Sequence, residues 1–184
     1  MGIFSESIVQ TWASSPHSPY TNLGRPRISM PGSKKPYTLD FAFRPRGESK
    51  IYVVEMKCEL EYQNYRFLTL EDASQLIHHT GPAFTAFLEA ALHPELCQAR
   101  VTGRAEEIRG AILVWGHVTP MGRADVMQRY GLIDVLSLRD IIGHLLDWRD
   151  QPYQKLLHDR AIWCSQLFHG LGLEQDQAPP SMGA

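Results

Sequence analysis

The order of the predicted elements indicates an α/β protein in which helices flank a mixed central sheet. Three observations favour this class. Two β-rich runs, residues 37–43 and 50–57, are joined by a short link that contains Gly47, as in a hairpin. A nearly continuous apolar run at 109–118 is typical of a strand covered on both faces. Segments with helical periodicity precede, separate and follow these strands.

The individual elements are assigned from periodicity and from breaker residues. Helices are predicted where apolar residues recur about every 3.6 positions: residues 4–14, 69–80, 83–92, 139–148 and 153–171. Gly81-Pro82 should end the second of these helices, and Thr69 or Glu71 should open it. Further strands are predicted at 27–30 and 131–138, and the rest of 15–36 is expected to be a long loop.

Length and composition favour one folded domain. The chain has 184 residues, of which 43% are hydrophobic and 21% charged, as in an ordinary globular protein. We expect a single domain at 1–173 and a disordered tail at 174–184. The 3 cysteines are widely spaced, which indicates neither a disulfide framework nor a CxxC metal site. Without a signal-peptide pattern or a long apolar segment, a cytoplasmic protein with no membrane contact is expected.

Basic residues are concentrated before and within the predicted hairpin. The formal net charge is -2, so no global basic field indicates nucleic-acid binding. Between positions 25 and 50, however, seven basic and two acidic residues give a local net charge of +5. The candidate phosphate contacts within this segment are Lys34, Lys35, Arg44 and Arg46. A solvated loop is the alternative explanation for the same charges.

The predicted hairpin places three charged residues on one face. If the turn is centred between Gly47 and Glu48, the numbers of paired residues sum to 95 and Asp40 lies opposite Glu55. Glu55 and Lys57 then share that face, because successive side chains of a strand alternate. The opposite face receives an apolar set: Leu39, Phe41, Phe43, Tyr52, Val54 and Met56. A slip of one residue would move Asp40 into the apolar layer, which favours this register.

A divalent cation would explain the opposed carboxylates. Two carboxylates about 5 Å apart across a strand pair repel each other, and partial burial strengthens the repulsion. Mg²⁺ is often held by one or two carboxylates together with phosphate oxygens, and the backbone carbonyl of Met56 is a further candidate ligand. Lys57 would lie beside the metal, where its ammonium could stabilise charge that develops on a phosphate. A cross-strand salt bridge between Asp40 and Lys57 is the alternative.

The motif resembles the signature of a nuclease superfamily. Leu39-Asp40, followed fifteen positions later by Glu55-Met56-Lys57, is similar to the PD-(D/E)xK pattern, with Leu39 in place of the usual proline. The resemblance implies a restriction-endonuclease-like core and a Mg²⁺-dependent nuclease that hydrolyses DNA, with Mn²⁺ able to substitute. Asp40, Glu55 and Lys57 would be catalytic. Many members also carry a metal-facing acid on the first helix, which here would be Glu6.

One branch of the superfamily suggests two more candidates. RecB-like members carry a Gln and a Tyr four residues apart on the helix after the lysine. Here Gln75 and His79 have that spacing on one predicted helical face, although the Tyr is missing, so both are candidate contacts to the site or to DNA. Two alternatives stay open: an inactive nuclease-fold module that binds nucleic acid or protein, and a nuclease subunit of a larger DNA-processing complex. A homodimer is equally open.

Overall fold

The computed structural model describes residues 4–33, 35–57 and 68–171. Its α-helices are α1 (Phe4–Ser14), α2 (Pro82–Leu92), α3 (Pro120–Tyr130), α4 (Leu138–Asp147) and α5 (Gln151–Gly170). Its strands are β1 (Tyr20–Asn22), β2 (Arg27–Ser29), β3 (Tyr37–Thr38), β4 (Phe41–Pro45), β5 (Ile51–Met56), β6 (Thr69–Leu70), β7 (Gln98–Val101), β8 (Arg104–Glu106), β9 (Ile108–Trp115), β10 (His117–Val118) and β11 (Asp134–Ser137). The described residues also include short 3₁₀ helices at Ala73–Leu76 and Pro94–Leu96.

The central sheet is mixed and has the strand order β1-β4-β5-β9-β11. β4 is antiparallel to both β1 and β5, whereas β9 is parallel to both β5 and β11. A second sheet has the order β3-β2-β7-β8, and β6 pairs with β10. The predicted α/β class is therefore confirmed. No helix among the described residues is both long and apolar enough to cross a membrane.

Two apolar clusters lie on opposite faces of the central sheet. Phe43 and Val54 belong to one cluster, which includes side chains of α1, α4 and α5. Ala42 and Val53 belong to the other, which includes side chains of α2 and α3. Because helices cover both faces, all 6 residues of β5 are buried. The packing on both faces holds β5 rigidly and so fixes the position of the residues that follow this strand.

The predicted hairpin register is confirmed, but its first strand is interrupted. Phe41 pairs with Val54 and Phe43 with Tyr52, so the numbers of the partners sum to 95. β3 ends at Thr38 and β4 begins at Phe41, which leaves Leu39 and the following residue in a bend. The prediction that Leu39 shares the face of Phe41 is wrong, since Leu39 is buried in the cluster of α2 instead. The bend removes it from the alternation of β4.

The helix predicted at 69–80 is also wrong. This segment contains β6, which pairs with the distant β10, and a single 3₁₀ turn. Gly81-Pro82 does not end a helix there but starts α2, with Gly81 as its N-terminal cap. Further elements were not predicted at all: β1, β7, β8 and α3. The expected disordered tail at 174–184 lies outside the described residues.

Candidate functional site

The predicted charged residues meet at one edge of the central sheet. β5, β9 and β11 are mutually parallel neighbours, so their carboxyl ends lie at the same edge. In open α/β sheets, ligands bind outside these ends. Glu55 is the penultimate residue of β5 and Lys57 follows the strand directly. Asp40 precedes β4, which runs antiparallel to β5, so the bend that carries it lies at the same edge.

Glu55 and Lys57 form a close and shielded ion pair. The Lys57 Nζ atom lies 2.6 Å from the Glu55 Oε1 atom, and the two side chains are 22% and 7% exposed, respectively. Burial and the negative charge of Asp40 raise the pKa of the Glu55 carboxyl group, while the charges of Lys57 and Arg25 act in the opposite direction. Burial and Asp40 outweigh the neighbouring cations, so a further cation bound here would stabilise the ionised form of Glu55.

Backbone and side-chain donors hold both oxygens of Asp40. The Met56 backbone N–H donates to Asp40 Oδ2 at 2.8 Å, which ties the bend to the end of β5. Arg25 Nη2 donates to Asp40 Oδ1 at 3.0 Å. Among the ion pairs of the described residues, Asp40 pairs with Arg25 and Lys57 with Glu55. The alternative of a direct Asp40–Lys57 salt bridge is therefore not observed within this part of the chain.

Arg25 connects this site to the first helix. Its Nη2 atom also lies 3.5 Å from Glu6 Oε1, and Glu6 is in the first turn of α1. The structure therefore brings Glu6 and Asp40 to the same guanidinium group. Sequence reasoning does not reveal Arg25 as a site residue, because it is one of seven basic residues between positions 25 and 50. Its approach to Asp40 depends on the pairing of β2 with β3.

The donor types at this edge suit a hard divalent cation, but the carboxylates already have protein partners. Asp40 and Glu55 supply the two carboxylates with which Mg²⁺ or Mn²⁺ is often held beside phosphate oxygens. Their mutual repulsion, which raises the Glu55 pKa, is the observation that fits a cation. Within the described ranges, however, no group of three or more His, Cys, Asp or Glu residues is arranged to hold a metal ion. Glu6 would have to release Arg25 to join such a group.

His79 lies near Lys57, because both side chains approach the ring of Phe84. Its ring centroid is 5.4 Å from that of Phe84 and 6.0 Å from that of Trp115. Lys57 Nζ lies 5.6 Å from the centroid of the same Phe84 ring. Burial, His78 and Lys57 lower the pKa of His79 to about 4, so the ring is neutral at pH 7. Its Nε2 atom is buried and has no hydrogen-bond partner in the described part of the chain.

Gln75 serves the local structure. Its Oε1 atom accepts hydrogen bonds from the backbone N–H groups of Glu71 at 2.6 Å and Asp72 at 3.2 Å. Its Nε2 atom donates to the Thr69 carbonyl at 2.9 Å. The amide thus closes a capping box around the 3₁₀ turn. Gln75 positions the segment that leads to His79, and both ends of its amide are already used.

The four predicted phosphate contacts have different surroundings. Arg44 pairs with Glu106, and Arg46 donates to the Ser18 and Ser15 carbonyls at 2.7 and 3.0 Å. Both arginines are therefore engaged within the protein. Lys35 is exposed and forms no ion pair with another described residue. Lys34 lies outside the described residues.

No family model, no curated protein and no solved structure matches this chain. The likeness to the PD-(D/E)xK signature therefore depends on the residues and the geometry described above. What the structure defines is an α/β protein with carboxylates and basic side chains grouped at the carboxyl edge of its parallel strands.

Proposed function

We propose that this protein is a Mg²⁺-dependent nuclease that hydrolyses phosphodiester bonds of DNA, with Asp40, Glu55 and Lys57 as its catalytic residues. The observation that carries the proposal is the convergence of these three residues. A bend and a strand end, which are adjacent through an antiparallel ladder, bring two carboxylates and an ammonium group to one edge of the sheet. This combination suits chemistry on a phosphate group.

Each residue would have a distinct role. Asp40 and Glu55 would hold the divalent cation, which when bound would activate the phosphate and lower the pKa of a water molecule. Lys57 is the flexible donor of the group, because its ammonium can turn from Glu55 towards a phosphate oxygen and stabilise charge in the transition state. The Met56 N–H holds Asp40 in place at 2.8 Å, so this carboxylate is positioned before any ligand arrives.

The packing of side chains on both faces of β5 favours a rigid site. Met56 is buried with Val54 on one face of β5, and Val53 is buried on the other. A strand packed on both faces holds its end residues more precisely than a loop would. The buried setting of Glu55 also lowers the local dielectric constant, which strengthens each charge–charge interaction there.

A cleavage assay with one matched pair of variants tests the proposal. Supercoiled plasmid and single-stranded DNA are incubated with the protein in Mg²⁺ or Mn²⁺. Lys57→Ala should cut at least about 10²-fold more slowly, as expected when a donor to the transition state is removed. Lys155→Ala removes an exposed lysine of α5 that pairs with Asp159 and should cut at the wild-type rate. Cleavage by Lys57→Ala at the wild-type rate would contradict the proposed site.

A second candidate is an inactive module of the same fold that binds nucleic acid or protein. The observation that favours it is that Arg25 and Lys57 already occupy the carboxylates. A thermal melt with added Mn²⁺ separates the candidates. A cation at 100 times its Kd should stabilise a functional site by about 2.7 kcal/mol, whereas an inactive module should not respond. A cytoplasmic location, a homodimer and a role inside a larger DNA-processing complex stay predictions.

A further inference from the structure

The second sheet of the protein exposes one face that carries paired arginines. In this sheet, Ile28 of β2 and Ala99 of β7 are buried in the core cluster. Arg27 and Arg100 are exposed, and because strand side chains alternate, both lie on the opposite face. We call this exposed surface, with Arg27 and Arg100 at its centre, the arginine face.

The two arginines are placed where like charges should repel. Arg27 and Arg100 are direct cross-strand partners, and like charges in that arrangement destabilise an antiparallel pair. Their other lateral neighbours are uncharged, with Thr38 opposite Arg27 and Ala105 opposite Arg100. Neither arginine forms an ion pair with any acidic side chain of the described ranges. An anionic partner would relieve this repulsion.

The arginine face leads directly to the candidate site. From the pair Arg27–Thr38, the ladder continues through a hydrogen bond from the Leu39 N–H to the Pro26 carbonyl at 3.0 Å. The next residues on the exposed face are Arg25 and Asp40, whose side chains bond at 3.0 Å. Two strand residues span about 6.8 Å, which equals the rise of about two nucleotides measured along the axis of B-form DNA.

We propose that the arginine face binds the sugar–phosphate backbone of DNA about two nucleotides from the bond that is cut at the candidate site. The position relative to the cut bond depends on the proposed nuclease function, whereas binding of DNA to this face does not. The planar guanidinium group suits the oxygens of a phosphate. Contacts to the backbone carry no sequence information, so binding through this face has no strong sequence preference.

The binding test is carried out in EDTA, so that cleavage does not interfere. Fluorescence anisotropy measures the affinity for labelled single-stranded and duplex oligonucleotides over a range of salt concentrations. Removal of two phosphate contacts in Arg27→Gln/Arg100→Gln should make the slope of log K against log salt shallower by about 1.4 to 1.8, and weaken binding about tenfold or more. Arg100→Gln alone should give about half of this change in slope.

A matched control removes the same charge elsewhere. Arg104 pairs with the buried Val101 and so lies on the other face of the same sheet, and Lys155 is on α5. Arg104→Gln/Lys155→Gln should keep the slope of the wild type. Melting temperatures verify that all variants fold, and Arg27→Gln/Arg100→Gln should melt no lower than the wild type because a repulsion is removed.

The outcomes separate the two proposals. Equal slopes in the wild type and in Arg27→Gln/Arg100→Gln, or equal losses in both double variants, would overturn the arginine face. The absence of DNA binding by the wild type in EDTA would overturn it as well. If the wild type binds through the arginine face but cuts no DNA in Mg²⁺, the nuclease proposal fails and the arginine face stands. If DNA is cut in a Lys57-dependent manner while the arginine variants bind normally, only the arginine face fails.

Discussion

Replacement of Lys57 by Met should destabilise the protein more at pH 8 than at pH 5. The substitution keeps an apolar side chain beside the Phe84 ring, over which the Lys57 ammonium lies at 5.6 Å. It removes the partner of Glu55, whose side chain is 7% exposed and 2.6 Å from Lys57 Nζ. Breaking a buried ion pair costs about 3–5 kcal/mol, because the remaining charge is uncompensated. We expect about 3 kcal/mol at pH 8, at the lower end of that range, since Arg25 still acts on Glu55.

The pH dependence follows from the pKa of Glu55. Burial and Asp40 already raise this pKa above its ordinary value of 4.5 in the folded protein, and the loss of Lys57 raises it further. A carboxyl group with a higher pKa in the folded state binds more protons when folded, so stability increases as the pH falls from the folded pKa towards 4.5. The loss of stability in Lys57→Met should therefore be clearly smaller at pH 5 than at pH 8.

Urea unfolding followed by tryptophan fluorescence measures both values, with the wild type at the same pH as the reference. The slope of the free energy of unfolding against urea should not change, which shows that the compactness of both states is preserved. Glu55→Gln/Lys57→Met should recover much of the loss at pH 8, because the buried carboxylate left without its lysine partner is removed. A loss that is equal at both pH values, or a loss below about 0.5 kcal/mol at pH 8, would refute the reasoning.

Four further substitutions test three separate parts of the structure. The pKa of His79 is about 4 in the folded protein, against 6.5 ordinarily, so the unfolded chain binds more protons between these values and stability is lost as the pH falls. The His79 ring is only half-buried, so the effect is moderate. In His79→Phe, the loss of stability between pH 7 and pH 4, measured by urea unfolding, should be smaller than in the wild type by about 1 to 2 kcal/mol. An unchanged pH profile would contradict this. A Cβ atom on Gly122 would lie 2.3 Å from the Leu70 carbonyl oxygen, so Gly122→Ala should cost about 2 kcal/mol. Gly143→Ala is the control: the new Cβ atom has open space around it, so the substitution should stabilise α4 by about 0.5 kcal/mol. Similar effects of the two substitutions on stability would count against the packing of α3 on β6. Arg25→Gln removes the cation from Glu6 and Asp40 and should tighten Mn²⁺ binding about fivefold in titration calorimetry, whereas weaker binding would show that Arg25 does not compete with the metal.

The hairpin and its charged residues could be predicted because their information is local. Alternation of apolar side chains around a glycine-containing link determined the register of β4 and β5, and that register placed Asp40 and Glu55 at one edge. In the second sheet, Gly103 is a local sequence signal of the turn between β7 and β8. Thr102 and Gly103, between β7 and β8, both have positive φ angles, 49° and 84°, as a tight primed hairpin turn requires.

The remaining features depend on contacts between distant parts of the chain. Arg25 reaches Asp40 because β2 and β3 pair across a long loop, which periodicity cannot reveal. The segment at 69–80 has a helical pattern, yet β6 pairs with β10 more than forty residues later. The capping box of Asp72 and Gln75 then starts a 3₁₀ helix that spans only Ala73–Leu76. Pairing between distant strands thus brings Arg25 to Asp40, and at 69–80 it overrides the local helical propensity.

The most direct measurement is the rate at which the protein nicks supercoiled plasmid in Mg²⁺, compared between the wild type and Asp40→Asn. The asparagine oxygen can still accept the Met56 N–H hydrogen bond, so the bend is retained while the negative charge is lost. Nicking by the wild type should require Mg²⁺ and stop in EDTA, and Asp40→Asn should be slower by about 10²-fold or more. Nicking that persists in EDTA, or that proceeds at the wild-type rate in Asp40→Asn, would contradict a metal-dependent nuclease site at Asp40, Glu55 and Lys57.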